Sequence, residues 1–483
     1  MMAELNKELN VTTTENGDTA LLSTGSKNLD FFSLAGAMRY SHQDLIPLFI
    51  EAFYEDKAMS LKNLFYLRDI RGGLGERSSF KQLLLTLVSL DTNILIKIIP
   101  FISKYGRFDD LLPLLDTNAS KAAIDLLEKQ FKADLTNYKD NPNTISLVAK
   151  WLPSINASNP KTISYAKQLA TSFGMDYKTY RKNLAALRKT LNIVENNLRT
   201  KDYTFEYASL PSYASNRYTN TFLRNDNARF NAYLEAVKKG EKKMNVDTLY
   251  PYDIITPFYN DHNLSNDSID ALNLRWQSSK RNTLNKKSIV VRDGSGSMYS
   301  NDNFPIRVAT SLAILFSEQL TGDFKNKFIT FSERPRLITL PDEASIYNKL
   351  LITEKYDEAS NTNIAKVYEL IFNIESKSTF NKEDMIDQLI IISDMEFDEC
   401  VEGVSTYDTF KEKFEKANLT FPQIIFWNVD ARSTHIAAKG DNVITVSGAS
   451  KNIIDNLINN DVPDPYAFMF QVLSKYDEVV KTI

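Results

Sequence analysis

One short run in this chain carries enough oxygen donors to do chemistry, Asp293-Gly294-Ser295-Gly296-Ser297. It follows Ser288-Ile289-Val290-Val291, an apolar run of strand type, so one carboxylate and two hydroxyls leave the carboxyl end of a buried strand. Open α/β sheets bind ligands at that end. Two more donors stand far along the chain. Thr362, in Ser360-Asn361-Thr362-Asn363, opens a helix-like segment, and Asp394 closes the run Leu389-Ile390-Ile391-Ile392-Ser393. Alone, D-G-S-G-S reads as a Gly/Ser turn. With Thr362 and Asp394 it reads as a set of hard oxygen donors suited to Mg²⁺ or another divalent cation, which prefers octahedral geometry and keeps some of its waters.

Composition narrows the alternatives. The chain has 483 residues, room for several domains, and its 43% hydrophobic content is ample for real cores. Its single cysteine, Cys400, excludes an internal disulfide and points to a reducing compartment. Three scattered histidines, His42, His262 and His435, argue against a zinc site and against Ser–His or Cys–His catalysis. No apolar run approaching about 20 residues and no signal-peptide pattern stand out, so the expectation is a cytoplasmic monomer with no membrane span. The net charge of −4 hides a split: residues 161–243 carry 16 basic and 7 acidic side chains. Such asymmetry suggests a polyanion-binding surface.

Residues 1–25 read as a loose polar tail. From 26 to 284 the apolar period is helical, as in Leu45, Leu48, Phe49, Ala52, Phe53 and in Phe80, Leu83, Leu84, Leu87, Val88. Successive helices with short connections suggest an irregular α-solenoid, and 244–286 reads as a connector with one helix near 268–280. From 285 to 483 strands alternate with helices. The spacing predicts strands at 288–292, 327–331, 388–393, 423–428 and 443–446, a parallel sheet covered on both faces. A last helix at 465–480 is expected to pack back on the helical part.

A helix predicted over 177–199 is amphipathic. Tyr180, Leu184, Leu187, Leu191 and Val194 share one face, and Lys178, Arg181, Lys182, Arg188 and Lys189 the other. Arg217, Arg224 and Arg229 follow, interleaved with Tyr213, Tyr218 and Phe222. Clustered cations with aromatics suit phosphate contact and base stacking, and a solvated helix face is the plain alternative. Arg68-Asp69-Ile70-Arg71-Gly72-Gly73-Leu74-Gly75-Glu76-Arg77 lacks the Gly-Lys-Ser/Thr ending of a phosphate loop. It reads as a helix end, with its charges forming a buried ion-pair cluster that locks two helices; RNA contact by Arg71 or Arg77 is the alternative.

The strand-end motif with Thr362 and Asp394 resembles the metal-ion-dependent adhesion site of the von Willebrand factor A (VWA) domain. The segments Phe65–Gly73, Tyr105–Leu112, Ala149–Pro153, Leu187-Arg188-Lys189 and Ser447–Lys451 resemble the family called domain of unknown function 2828, whose layout is similar to the TROVE proteins, the Ro RNA-binding autoantigens. The resemblance implies an α plus α/β architecture: HEAT-like helical repeats, in Ro a ring, followed by a Rossmann-like VWA domain. It implies a metal held by Asp293, Ser295, Ser297, Thr362 and Asp394, with the hydroxyls binding directly and the aspartates partly through water. Ro proteins bind structured small RNAs on the ring and single-stranded ends of misfolded RNAs in its hole. RNA, a protein offering a carboxylate to the metal, and a nuclease are therefore the expected partners. A scaffold without RNA is the alternative. A Mg²⁺-dependent phosphoryl-transfer enzyme is the weakest reading, because Ser295 stands where a second aspartate is usual, and no enzymatic activity is expected.

Overall fold

A computed structural model describes residues 10–14, 19–279, 287–357, 363–377, 385–397, 406–436, 442–459, 464–481 and 483. The chain divides into two compact units. One comprises residues 1–59 and 211–474, and the other residues 60–210 and 475–483. The sequence boundary at 284/285 thus marks a change of element type, whereas the compact units are cut elsewhere.

The first unit holds all the strands among the described residues: β1 (Val11–Thr13), β2 (Thr19–Leu21), β3 (Ser288–Asp293), β4 (Lys327–Phe331), β5 (Leu337–Thr339), β6 (Gln388–Ser393), β7 (Gln423–Asn428) and β8 (Val443–Ser447). The last six form one sheet in the order β5-β4-β3-β6-β7-β8, parallel except for β5. Ile/Val-rich runs such as Leu389–Ile392 are buried on both faces, as a parallel sheet requires. Ile289, Val291, Leu389, Ile391, Ile424 and Phe426 join Val367, Tyr368, Phe410 and Phe414 in one core cluster. On the opposite face, helix Ser300–Gln319 packs against β3. β5 escaped the sequence reading because three residues with Leu337 exposed leave little apolar signal.

Two sequence expectations are corrected in this unit. The described part of the N-terminal tail is not loose. β1 pairs antiparallel with β2, Leu21 exchanges backbone hydrogen bonds with Ile436 (2.8 and 2.7 Å), and Thr14 Oγ1 donates to the Phe397 carbonyl. Sheet-edge pairing needs backbone groups only, so a polar composition does not forbid it. The connector at 244–286 contains two helices, Pro251–Asn260 and Asn266–Ser278. Pro251 occupies the first turn, where a missing N–H costs nothing. Helix Lys27–Leu34 packs on β8 and on helix Pro465–Leu473, with the Phe32 and Phe468 rings 5.9 Å apart.

The second unit is helical. Helix Arg77–Tyr105 is long and apolar enough, by length and composition, to cross a membrane, which corrects the expectation that no such stretch exists. Its backbone leaves helical geometry at Asp91, whose Oδ1 accepts from the Ile94 N–H (3.1 Å) and caps the second half. Phe80, Leu83, Leu84, Leu95, Ile98 and Ile102 are buried in the unit. The expected ion-pair cluster is present. Arg68 and Asp110, both buried, meet at 2.7 Å, and Arg77 and Lys81 reach Asp109. A Cβ at Gly106 would stand 2.5 Å from Asp110 Oδ2, so only glycine fits there. The expected helix 465–480 breaks at Ser474. Residues beyond it join this unit, where the Tyr476 hydroxyl donates to Asp69 Oδ2 (3.0 Å). The 177–199 helix breaks as well, into Tyr177–Thr190 and Val194–Thr200, at Asn192 with φ of 46°.

Candidate functional site

The sheet order runs outward from β3 to β5 on one side and from β6 to β8 on the other. The connections reverse direction between β3 and β6, and at such a switch point the loops diverge and leave a crevice over the carboxyl ends. Asp293 ends β3 and Asp394 follows β6, so the two carboxylates meet at this crevice. Asp293 is fully buried. Its Oδ2 accepts from Ser393 Oγ (2.6 Å) and its Oδ1 from the Ser295 N–H (2.9 Å). Burial first, then the charge of Asp394, push its carboxyl up to about 7 against the pull of those hydrogen bonds.

The Ser295 and Ser297 hydroxyl oxygens lie 3.0 Å apart. Neighbouring ligands of an octahedral ion with 2.0–2.1 Å bonds are separated by about 3 Å, so the pair fits one edge of a Mg²⁺ shell. Among the described residues no three His, Cys, Asp or Glu side chains form a metal group. Any cation here would depend on these hydroxyls and on two aspartates. Thr362, the fifth residue of the set, lies outside the described residues. Just before that gap, Asp357 accepts from the buried Arg292 guanidinium and from the Tyr299 hydroxyl. A Cβ on Gly294 would come within 2.9 Å of Asp357 Oδ1, which explains a glycine between the aspartate and the first serine.

Sequence reasoning missed the segment after β7, which supplies four side chains near the site. Asp430 accepts from Ser300 Oγ (3.1 Å) and Asn301 Nδ2 (2.7 Å), and burial raises its carboxyl. Arg432 Nη2 donates to Asp394 Oδ2 at 3.1 Å. Ser433 donates to Glu396 (3.1 Å) and contacts His435 Nδ1, while His435 Nε2 faces the Met395 carbonyl (3.4 Å). The segment is tied from behind by the Ala431 N–H to the Ala37 carbonyl (3.0 Å) and by Ser41 Oγ to the Ala431 carbonyl (3.1 Å). Asn301, Asp302 and Asn303 all adopt left-handed φ, from 49° to 60°, a conformation that Asn and Asp tolerate best among non-glycine residues. Three such residues in a row after D-G-S-G-S-M-Y-S were the available signal for a special turn.

The eight basic candidates are divided between the units. Lys178, Arg181, Lys182 and Lys189 are exposed on helix Tyr177–Thr190, opposite the buried Tyr180, Leu184 and Leu187. Arg188 is committed to structure: its three nitrogens donate to the Ala149 carbonyl (2.8 Å), Ser154 Oγ (2.7 Å) and the Leu152 carbonyl (2.7 Å). Arg217, Arg224 and Arg229 belong to the sheet-bearing unit. All three are exposed, and Arg229 pairs with Asp226 at 3.1 Å.

The molecule is therefore a mixed six-stranded sheet unit with an oxygen-donor cluster at its switch point, accompanied by a helical unit. The family described as Domain of unknown function (DUF2828) matches residues 14–123 and 161–291 of this chain. A second, Domain of unknown function (DUF7788), matches residues 287–477. The chain is similar to "Uncharacterized protein L728" of Acanthamoeba polyphaga mimivirus, 28% identical over 97% of this chain and 88% of that protein.

Proposed function

We propose that this is an RNA-binding protein whose sheet unit carries a divalent-cation site for docking a protein partner. The observation that carries the docking site is the pair of serine hydroxyls 3.0 Å apart beside the buried Asp293, at the switch point of the sheet. In this reading the sheet unit is a VWA domain and the helices form an irregular HEAT-like array of Ro type. Ser295, Ser297 and Thr362 hold Mg²⁺ directly, and Asp293 and Asp394 hold it partly through water. The bound ion offers positive charge to a partner's carboxylate, for example one on a nuclease. Ser393 and the Ser295 N–H hold the buried Asp293 carboxylate in a fixed orientation. The RNA half rests on Lys178, Arg181, Lys182 and Lys189. None of them is held in an ion pair among the described residues.

A second reading, a protein scaffold without RNA, is favoured by the use of Arg188 as an internal clamp and by the division of the basic candidates between two units. Two titrations separate the readings: calorimetry with Mg²⁺, and fluorescence anisotropy with a 3′-tailed RNA stem across a salt series. Asp293→Ala should abolish cation binding and leave RNA affinity within about twofold, as expected of independent sites. Loss of RNA affinity in an Asp293→Ala protein that is folded by circular dichroism would overturn the two-site reading. Absence of RNA binding by the wild-type protein at low salt would favour the scaffold.

A further inference from the structure

We infer that a cleft beside helix Tyr177–Thr190 is the binding site for the sugar-phosphate backbone of single-stranded RNA, an inference that rests on the RNA reading above. The cleft has a volume of about 660 Å³, within the size range of ligand-binding clefts. The left-handed Asn192, between helix Tyr177–Thr190 and helix Val194–Thr200, is part of its lining, as are Ser154, Asn156 and Phe205 from outside the two helices.

Its lining is cationic. Arg181, Arg188, Lys189 and Arg199 face one carboxylate, Asp202. Asp202 Oδ1 already accepts from the Thr204 N–H (3.0 Å) and Thr204 Oγ1 (2.6 Å). Arg188 is pinned by its three acceptors, one of which, Ser154, also lines the cleft. Arg181, Lys189 and Arg199 are exposed, and none is in an ion pair among the described residues. Three exposed cations around one cleft are the means to neutralise successive phosphates, where isolated surface lysines serve only general attraction. Leu184 and Ile193 supply an apolar patch, and the amides of Asn156, Asn192 and Asn196 offer donors and acceptors to bases or sugar hydroxyls. Lys178 and Lys182 lie on the same helix but do not line the cleft. The inference therefore selects among residues that the helical wheel treats alike, and it adds Arg199.

The test compares two sets of substitutions in the full chain: Arg181→Gln, Lys189→Gln and Arg199→Gln together, and Lys178→Gln with Lys182→Gln. The probe is a fluorescein-labelled single-stranded RNA dodecamer, read by anisotropy across a salt series. All five side chains are exposed, so both proteins should fold, and circular dichroism checks it. The cleft variant should raise Kd at least about tenfold and flatten the slope of log K against log salt by about 2, the value for three lost phosphate contacts on a single strand. The Lys178/Lys182 variant should raise Kd by only about twofold, because these two lysines lie outside the cleft and add general attraction alone. Equal losses in both variants would assign binding to the helix face and overturn the cleft. Unchanged binding in both would place the RNA elsewhere, overturning the cleft while leaving RNA binding intact. No binding by the wild-type protein would overturn the cleft together with the RNA reading. Displacement of the RNA by inorganic phosphate far more strongly than by chloride of equal ionic strength would reduce the cleft to a small-anion site and overturn its assignment to a chain.

Discussion

Arg432 decides how open the oxygen-donor cluster is. Its guanidinium rests on Asp394, which is buried, while Arg432 itself is about one-third exposed, so it stands as a built-in cation beside a carboxylate that a metal would use. Part-exposed pairs of this kind are worth about 1 kcal/mol, so Arg432→Gln should tighten Mg²⁺ binding about fivefold by calorimetric titration. An unchanged affinity would mean that the cation and Arg432 do not compete. Asp253 gives a pH signature in the same unit. Its carboxylate accepts from the Tyr250 N–H (3.1 Å), yet burial raises it to about 6, outweighing the nearby Arg39 and Arg307. The unfolded chain ionises this group near pH 4 and the folded chain only near pH 6. Folding therefore retains a proton in between, and stability declines as pH rises through that window. Asp253→Asn should shrink the decline in urea-unfolding free energy between about pH 4 and pH 7 while keeping an oxygen for the cap.

At the scale of elements, the chain relies on buried charge to lock helices that propensity alone would leave loosely joined. Asp110 Oδ2 accepts from Arg68 Nε (2.7 Å) and from the Arg107 N–H (2.9 Å) and pairs with the Arg68 charge, tying helix Lys57–Arg68 to the 3₁₀ segment Phe108–Asp116. Asp110→Asn leaves a buried guanidinium without its counter-charge and should cost about 3–5 kcal/mol, read as a lower urea midpoint. A loss below about 1 kcal/mol would show that the pair is solvated in solution. Many elements were legible because their patterns are dense. Strands β3, β4, β6, β7 and β8 fall within a residue of the expected ends. Among the elements that escaped, β1, β2, β5 and helices Pro251–Asn260 and Ile346–Glu354 are short or carry prolines and polar residues, so their stability comes from neighbours that periodicity cannot show.

On the scale of the whole molecule, chain order and compact units are interleaved. Residues 60–210 leave the first unit, residues 211–474 return to it, and the last nine residues rejoin the second. Contacts within the first unit span nearly the full chain, as in Gly36 N–H to Ser447 Oγ (3.0 Å) and Leu21 with Ile436. Because the β1–β2 pair braces the segment that carries Arg432, Ser433 and His435, a chain beginning at residue 26 should melt earlier. The shift would be about 2–4 °C for each kcal/mol lost, followed by calorimetric melting. Cation affinity should fall with it. An unchanged melting temperature would show that the pairing contributes nothing to stability.

The motif residues declared themselves without a structure, because a carboxylate and hydroxyls at the end of an apolar strand form a local pattern and sheet geometry dictates where strand ends point. Asp293, Ser295, Ser297 and Asp394 were readable in that way. What surrounds them was not. Asp430 and the left-handed turn at 301–303 meet across 129 residues of chain, and Arg432 reaches Asp394 across 38. Likewise the basic stripe was visible as a helical period, but only the tertiary structure withdrew Arg188 into a clamp and lined a cleft beside the helix. Both outcomes depend on what the fold brings together, acceptors within 3 Å of a guanidinium and Ser154, Asn156 and Phe205 beside Asn192, which residue order alone does not fix.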